Sequence, residues 1–348
     1  MNKENITNKE LINLFLKNKS VSRDKAVYDS KHKDIIAKVD LTNDLSKFRN
    51  WDQQNDMGLK YRIGIIPKLF LGQYNLNFIS PLIKIINKRI NHYFEYSSML
   101  DDIAVIINNG GKNLIDQNPQ NKTPGAVDFP KIKGYSVSAR WLRYLYFLSQ
   151  IKKNNLLEKN SVWVDVGSYY GGLQGLVKKY YPDITIILVD FEHQLARSYI
   201  YLKRLYPESN HFFPNDVKNL RNFQNVKKGS IIYVDQKDFN IIKNFKVDLF
   251  TNFFSLGEMK KVTFNNYINS TIYKKSKVVY MANRFSSSPY FENTYDDAIN
   301  IFDYKTEKRI SHFDVLPINH YQISYRELFK RKFFRNISSP YFEMIIRS

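Results

Sequence analysis

The chain has no cysteine, which excludes disulfide bridges and thiolate metal sites and fits a reducing compartment. No run approaches the ~18 to 20 consecutive apolar residues that cross a bilayer, and the opening stretch MNKENITNKELINLFLKNKS lacks the apolar core of a secretory signal. The expectation is a cytoplasmic protein with no transmembrane segment, whose membrane contact, if any, is peripheral and at the inner face. Acid is also scarce: 33 Asp and Glu stand against 53 Lys and Arg, a formal charge of +20. Such an excess draws anionic partners, and it equally describes lysines spread evenly over a soluble surface. Glycine and proline are sparse, at 13 and 11 in 348 residues, while 43% of the chain is hydrophobic and 15% aromatic, which indicates a globular core.

Apolar spacing from Asn8 to about Asn109 is mostly helical and stops at Asn108-Asn-Gly-Gly111. Residues 1–111 therefore read as a helical N-terminal region. The stretch 112–135, with Pro119, Pro124, Gly125, Pro130 and Gly134, reads as a loop or lid. Residues 136–348 read as an α/β domain, opened by a helix that Ser136 caps and that carries Leu142, Leu145, Tyr146 and Leu148 on one face. Further strands are expected near His211–Phe213, over Val247–Phe254 and over Lys277–Ala282, with Phe313–Leu316 and Tyr341–Ile346 as an antiparallel last pair.

The most informative segment is Ser161–Val177, SVWVDVGSYYGGLQGLV. Val162, Trp163, Val164 and Val166 suit a strand buried on both faces, and Leu173, Leu176 and Val177 follow helical spacing. Gly167 and Gly171 between them permit backbone angles that other residues resist and let a ligand approach the main chain. A second strand ends at Asp190, about 20 residues past the glycines, where an acid takes the ribose hydroxyls of a bound nucleoside. The order Asp165-x-Gly167-x-x-x-Gly171, with Ser168 and bulky Tyr169 inside, departs from the G-x-G-x-x-G of dinucleotide sites. Asp165 is unfavourable beside a pyrophosphate and suits a cationic amino-acid group, which points to S-adenosylmethionine.

This turn, with the acid after the second strand, resembles the S-adenosylmethionine-dependent methyltransferases with a Rossmann-like core. Val189-Asp-Phe-Glu-His-Gln-Leu195, Tyr201-Leu-Lys-Arg-Leu-Tyr-Pro207 and Asn252-Phe-Phe-Ser-Leu-Gly-Glu-Met259 are similar to the sugar O-methyltransferases of bacterial surface-polysaccharide gene clusters. The resemblance runs from about Pro124 to the C-terminus. It implies a mostly parallel sheet with an antiparallel last strand, and methyl transfer to a hydroxyl of a sugar or glycan, phosphorylated or lipid-linked in some cases. It departs from the family at Phe191-Glu192, where a Leu-Pro-Glu-like run is usual.

Cofactor-binding candidates are Asp165, Gly167, Ser168, Tyr169, Gly171, Asp190, Phe191 and Asn252, with Asn215-Asp216 placed by position at the adenine. Abstraction of a hydroxyl proton needs a base within hydrogen-bond reach. His312, with Asp314 nearby, is the first candidate for that role, and Glu258 is the carboxylate expected to face the substrate. Arg140, Asn283 and Arg284 are candidates for holding sugar hydroxyls or a phosphate. No His-rich or paired-Asp motif supports a metal. A nucleic-acid methyltransferase is the rival that the charge suggests, although Asn252-Phe-Phe-Ser255 is not the Pro-Pro-aromatic loop of enzymes that hold a flipped base. A non-catalytic subunit of a glycan-assembly complex is the other alternative, since fold does not fix function.

Overall fold

The computed structural model describes residues 10, 11, 13, 14, 96, 99–126, 131–219, 226–287, 298–318, 325–328, 331–334 and 341–348. Residues 99–108 are helical, as are the few earlier ones described; most of the helical N-terminal reading lies outside the described residues. The stretch read as a loop contains more regular structure than its prolines suggest. It carries a helix at Lys112–Gln117, a tight turn at Gln120–Lys122, and an antiparallel pair, Lys131–Ile132 with Tyr135–Ser136. Pro119 and Pro124 fall between these pieces rather than inside them.

Eight strands form one sheet: β1 (Val162–Val166), β2 (Thr185–Asp190), β3 (His211–Phe212), β4 (Ile231–Asp235), β5 (Leu249–Phe253), β6 (Val278–Arg284), β7 (Arg309–Val315) and β8 (Tyr341–Arg347). Their order is β7-β8-β6-β5-β1-β2-β4-β3. Every neighbouring pair is parallel except those made by β8, which runs against both β6 and β7. This is the Rossmann-like methyltransferase fold that the sequence leads one to expect. After β1 the chain winds outward through β2, then crosses back to place β5 on the other side of β1. The crevice at that reversal, at the C-terminal strand ends, is where such sheets take ligands.

Helices cover both faces. They are α1 (Ala139–Lys153), α2 (Gly172–Tyr180), α3 (Glu192–Leu205), α4 (Pro214–Asn219), α5 (Lys261–Ile268) and α6 (Thr271–Lys275). The α1 cap is Ser138, whose hydroxyl accepts from Trp141 N at 3.2 Å; Ser136, expected in that role, is instead paired to Lys131. Strand alternation sorts the core into two layers. Trp163, Ile186, Leu188, Leu249, Tyr280 and Ile345 pack with α1, α2 and α3, while Val164, Val166, Ile187, Val189, Phe250 and Met281 pack with α5 and α6. Each such side chain, fully buried, contributes roughly 1.5–3 kcal/mol of transfer free energy.

The strand between β2 and β3 corrects the sequence reading. Ile231–Asp235 is the third long parallel strand, and His211–Phe212 is a short edge beside it. Asp235 therefore holds the strand-end position next to Asp190, in register with it.

Candidate active site

The turn after β1 is built from unusual backbone. Gly167, Tyr169 and Gly171 have φ of 83°, 55° and 85°. Gly167 is required, because a Cβ there would collide with the Ser255 side chain. Tyr169 takes a left-handed conformation that costs a bulky residue on the order of 1 kcal/mol or more, and the surroundings fix it. Its N–H donates to Asp190 Oδ2 at 2.9 Å, and its carbonyl accepts from Ser198 Oγ at 2.7 Å. Two guanidiniums lie against its ring, Arg140 at 4.3 Å and Arg197 at 4.8 Å from the centroid.

Both strand-end acids point to the α1 side of the sheet. Asp165 accepts from Gln174 Nε2 and from Thr251 Oγ1, and Thr251 in turn accepts from Trp163 Nε1 at 2.7 Å. Asp190 accepts from the N–H groups of Tyr169 and, at 2.7 Å, Phe191. Burial pushes each carboxyl up to about 7. The hydrogen bonds oppose that rise; for Asp165 the charge of Asp190 adds to it, and for Asp190 the charge of Arg197 opposes it.

From α1, residues Arg140, Arg143, Tyr144 and Phe147 reach the same space, a single helical stripe spaced by three and four. Phe147 stacks on Phe253 at 3.9 Å between centroids, and the Arg143 guanidinium lies 4.6 Å from the Phe254 ring. The turn after β5 brings in Ser255 and Glu258. Glu258 is pushed above the ordinary glutamate range by burial, with Arg284, Arg143 and Arg140 pulling it back in that order.

These groups enclose a cavity of about 270 Å³ whose lining includes Asp165, Gly167, Ser168, Tyr169, Asp190, Phe191, Arg140 and Glu258. The structure thus brings eight of the sequence candidates together. The others lie elsewhere. Gly171 caps α2 and packs close to α3, where a Cβ would sit 3.2 Å from Leu202. Asn252 and Asn283 are one residue out of phase with the cavity face. Asn252 instead ties the β5 turn down, donating to Val166 O at 2.8 Å and accepting from Leu256 N at 3.0 Å, and Asn283 is wholly buried next to Arg284 in β6. Asn215 and Asp216 lie in α4, where Asp216 Oδ2 accepts from Phe213 N at 2.8 Å. Arg284 ends β6, and its Nε donates to Tyr341 Oη at 2.7 Å. His312 lies on the outer strand β7, its Nε2 3.1 Å from Glu343 Oε1 and outside the cavity lining.

Sequence reasoning missed Arg143, Gln174, Gln194 and the Phe253-Phe254 pair. The i, i+3 spacing of Arg140 and Arg143 was the signal for the first. Among the described residues no cluster of three or more His, Asp or Glu side chains is arranged to hold a metal ion, and no helix is long and apolar enough to cross a membrane.

No protein-family model matches the chain, and neither does any curated protein. Solved structures similar to it include magnesium protoporphyrin IX methyltransferase from Synechocystis PCC 6803 with bound SAH (11% identity, 70% of this chain, 99% of that one, TM-score 0.37). An S-adenosylmethionine-dependent methyltransferase from Clostridium acetobutylicum ATCC 824 matches at 9% identity over 58% of this chain and 88% of its own, with a TM-score of 0.34. The small RNA methyltransferase HEN1 matches at 13% identity and TM-score 0.35 over 59% of this chain, which spans 24% of HEN1.

Proposed function

We propose that the chain is an S-adenosylmethionine-dependent O-methyltransferase acting on a sugar hydroxyl of a bacterial surface polysaccharide or its precursor. The observation that carries the reading is the pairing of Asp165 and Asp190 at adjacent parallel strand ends on one face, walling a cavity whose other wall holds Glu258. When bound, the cofactor supplies an electrophilic methyl group on a sulfonium.

The residues present fit that cofactor. Gln174 donates to Asp165 through Nε2 while its Oε1 is buried without a partner, so the pair offers acceptors to an ammonium. Asp190 spends one lone pair on each N–H it binds and keeps others for ribose hydroxyls. The Tyr169 hydroxyl, also buried and unpartnered, is a further polar group at the cavity. No second closely spaced glycine opens the turn for a pyrophosphate, which disfavours NAD.

Glu258 serves as the base that takes the acceptor hydroxyl proton. Its raised carboxyl binds a proton more readily than an exposed glutamate, and the neighbouring arginines oppose that rise. Phe147, Phe253 and Phe254 give the cavity an apolar wall that excludes water and suits the flat face of a sugar ring. The sugar itself follows from the resemblance of Val189–Leu195 and Asn252–Met259 to the sugar O-methyltransferases. Calorimetric titration with S-adenosylhomocysteine, with NAD as control, tests the cofactor. A screen of sugars from the native host, with product mass as readout, tests the acceptor.

A further inference from the structure

We infer that Thr251, fixed by the indole of Trp163, is a positioning residue that sets the Asp165 carboxylate for the cofactor. The inference rests on the methyltransferase reading and names two residues that act on the cofactor through Asp165.

Strand pairing brings the three side chains together. Asp165 and Thr251 stand opposite one another in the parallel pair of β1 and β5, and Trp163, two residues before Asp165, shares its face. Trp163 and Thr251 are wholly buried, and Asp165 is 2% exposed. Asp165 and Gln174 line the cavity, whereas Trp163 and Thr251 lie behind that lining. The bonds among them run in one direction. An indole N–H can only donate, so Trp163 Nε1, 2.7 Å from Thr251 Oγ1, makes the hydroxyl oxygen its acceptor. The single hydroxyl proton then goes to Asp165 Oδ1, which is closer than the other acceptor in reach, Val164 O at 3.5 Å. Gln174 Nε2 donates to the second carboxylate oxygen, Oδ2. One donor from β5 and one from α2 thus pin the two oxygens and leave their remaining lone pairs for a ligand.

A donor fixed on a carboxylate also favours its charged form. Burial pushes Asp165 up to about 7; the bond from Thr251 is the foremost effect opposing that rise, Gln174 is next, and the charge of Asp190 adds to it. The other charged side chains lining the cavity are Arg140 and Arg143 of α1 and Glu258 of the turn after β5, and all of these are the same in each chain compared below.

The test uses Thr251→Val, which keeps the shape and removes the donor, and Thr251→Ser, which keeps the donor and removes a methyl group. Calorimetry with S-adenosylhomocysteine across pH 6.5 to 8.5 is one readout. The other is the pH titration of the Asp165 carboxyl in the free chain, followed by carboxyl-carbon NMR of isotopically labelled aspartate and assigned by the signal lost in Asp165→Asn. Thr251→Val is expected to move the Asp165 titration up by about one pH unit or more. It weakens S-adenosylhomocysteine at least about fivefold at pH 6.5, and the deficit shrinks to about twofold at pH 8.5, where the carboxyl is mostly ionised in both chains. Thr251→Ser follows wild type in both readouts. Trp163→Phe frees the hydroxyl to turn away and moves the titration in the same direction by less. If Thr251→Val does not fold, Trp163→Phe carries the test, and an Asp165 titration unchanged in it overturns the inference. Thr251→Val following wild type, a binding deficit equal at both pH values, or Thr251→Ser impaired as much as Thr251→Val, which marks packing alone, overturns it as well. Failure of S-adenosylhomocysteine to bind wild type counts against the methyltransferase reading instead, and the carboxyl titration still reads the bond from Thr251.

Discussion

The main-chain N–H of Tyr169 donates to the Asp190 carboxylate at 2.9 Å, so the turn after β1 is tied to the end of β2 by the residue expected to hold the ligand. Asp190 thus shapes the site as well as facing it.

Replacing Asp190 removes both roles. Asp190→Ala leaves the N–H groups of Tyr169 and Phe191 without their acceptor, at about 1–3 kcal/mol for each group left buried. Asp190→Asn keeps one acceptor oxygen. Thermal denaturation is expected to rank the variants wild type, Asn, Ala. S-adenosylhomocysteine binding falls in both, by more than tenfold in Ala.

The two strand-end acids make stability and affinity respond to pH in opposite ways. Their folded carboxyls titrate near 7, well above the ordinary aspartate value of about 4. Between about pH 4 and 7 the folded chain therefore binds more protons than the unfolded chain, and the stabilising contribution of these groups, full below pH 4, is lost as pH rises through 7. A ligand that donates hydrogen bonds or brings an ammonium requires the ionised forms. S-adenosylhomocysteine affinity is expected to rise from pH 6 to pH 8 while this contribution to the unfolding free energy falls, and isothermal titration with urea denaturation at each pH reads both.

Gly167 and Gly134 both have positive φ, yet only one is crowded. A Cβ at Gly134 meets nothing within 4 Å, while at Gly167 it collides with Ser255. Gly134→Ala is expected to cost about 1 kcal/mol from backbone strain alone. Gly167→Ala adds displacement of the β5 turn, for a total of about 2–4 kcal/mol, and it weakens ligand binding. Chemical denaturation of the two variants separates the terms.

Much of this was legible in the chain, for a physical reason. Trp163 to Val166 and Thr185 to Asp190 are strands buried on both faces, so their apolar runs stand out, and the acids that end them mark the C-terminal edge of the sheet. Ile231–Asp235 is just as apolar and lies between β2 and the short His211–Phe212 strand, but the sequence alone does not show that it is inserted there. Asn252 and Asn283 show a second limit. The end of a strand is readable, whereas which side chain faces the cavity depends on a shift of one residue that flips the face. Arg143 and Phe147 come to the site through helix phase set by tertiary packing of α1 on the sheet.

Glu258 and His312 are separated by the structure, and their variants differ accordingly. Glu258→Gln is expected to lower methyl-transfer kcat by ~10²–10⁴ with S-adenosylhomocysteine binding preserved. His312→Gln, altering a half-exposed ring on β7, leaves kcat within about threefold, the scale of a surface change. A loss of activity in the second variant, with Glu258→Gln active, reverses the assignment.

Glu343 is buried and accepts from Tyr146 Oη at 2.7 Å and Tyr280 Oη at 3.1 Å, besides its contact with His312. It ties β8 to α1 and β6. Glu343→Ala leaves two phenols without their acceptor and is expected to cost on the order of 3 kcal/mol; Glu343→Gln costs less. Urea midpoints measure the difference.

The central claim is that the cavity between Asp165, Asp190 and Glu258 binds S-adenosylmethionine. Calorimetry with S-adenosylmethionine and S-adenosylhomocysteine, NAD as control and Asp190→Ala alongside, tests it directly. Saturable one-to-one binding of the first two in the micromolar range (about −8 kcal/mol), lost in the variant and absent for NAD, is the predicted result. No binding, or binding that Asp190→Ala leaves unchanged, contradicts it.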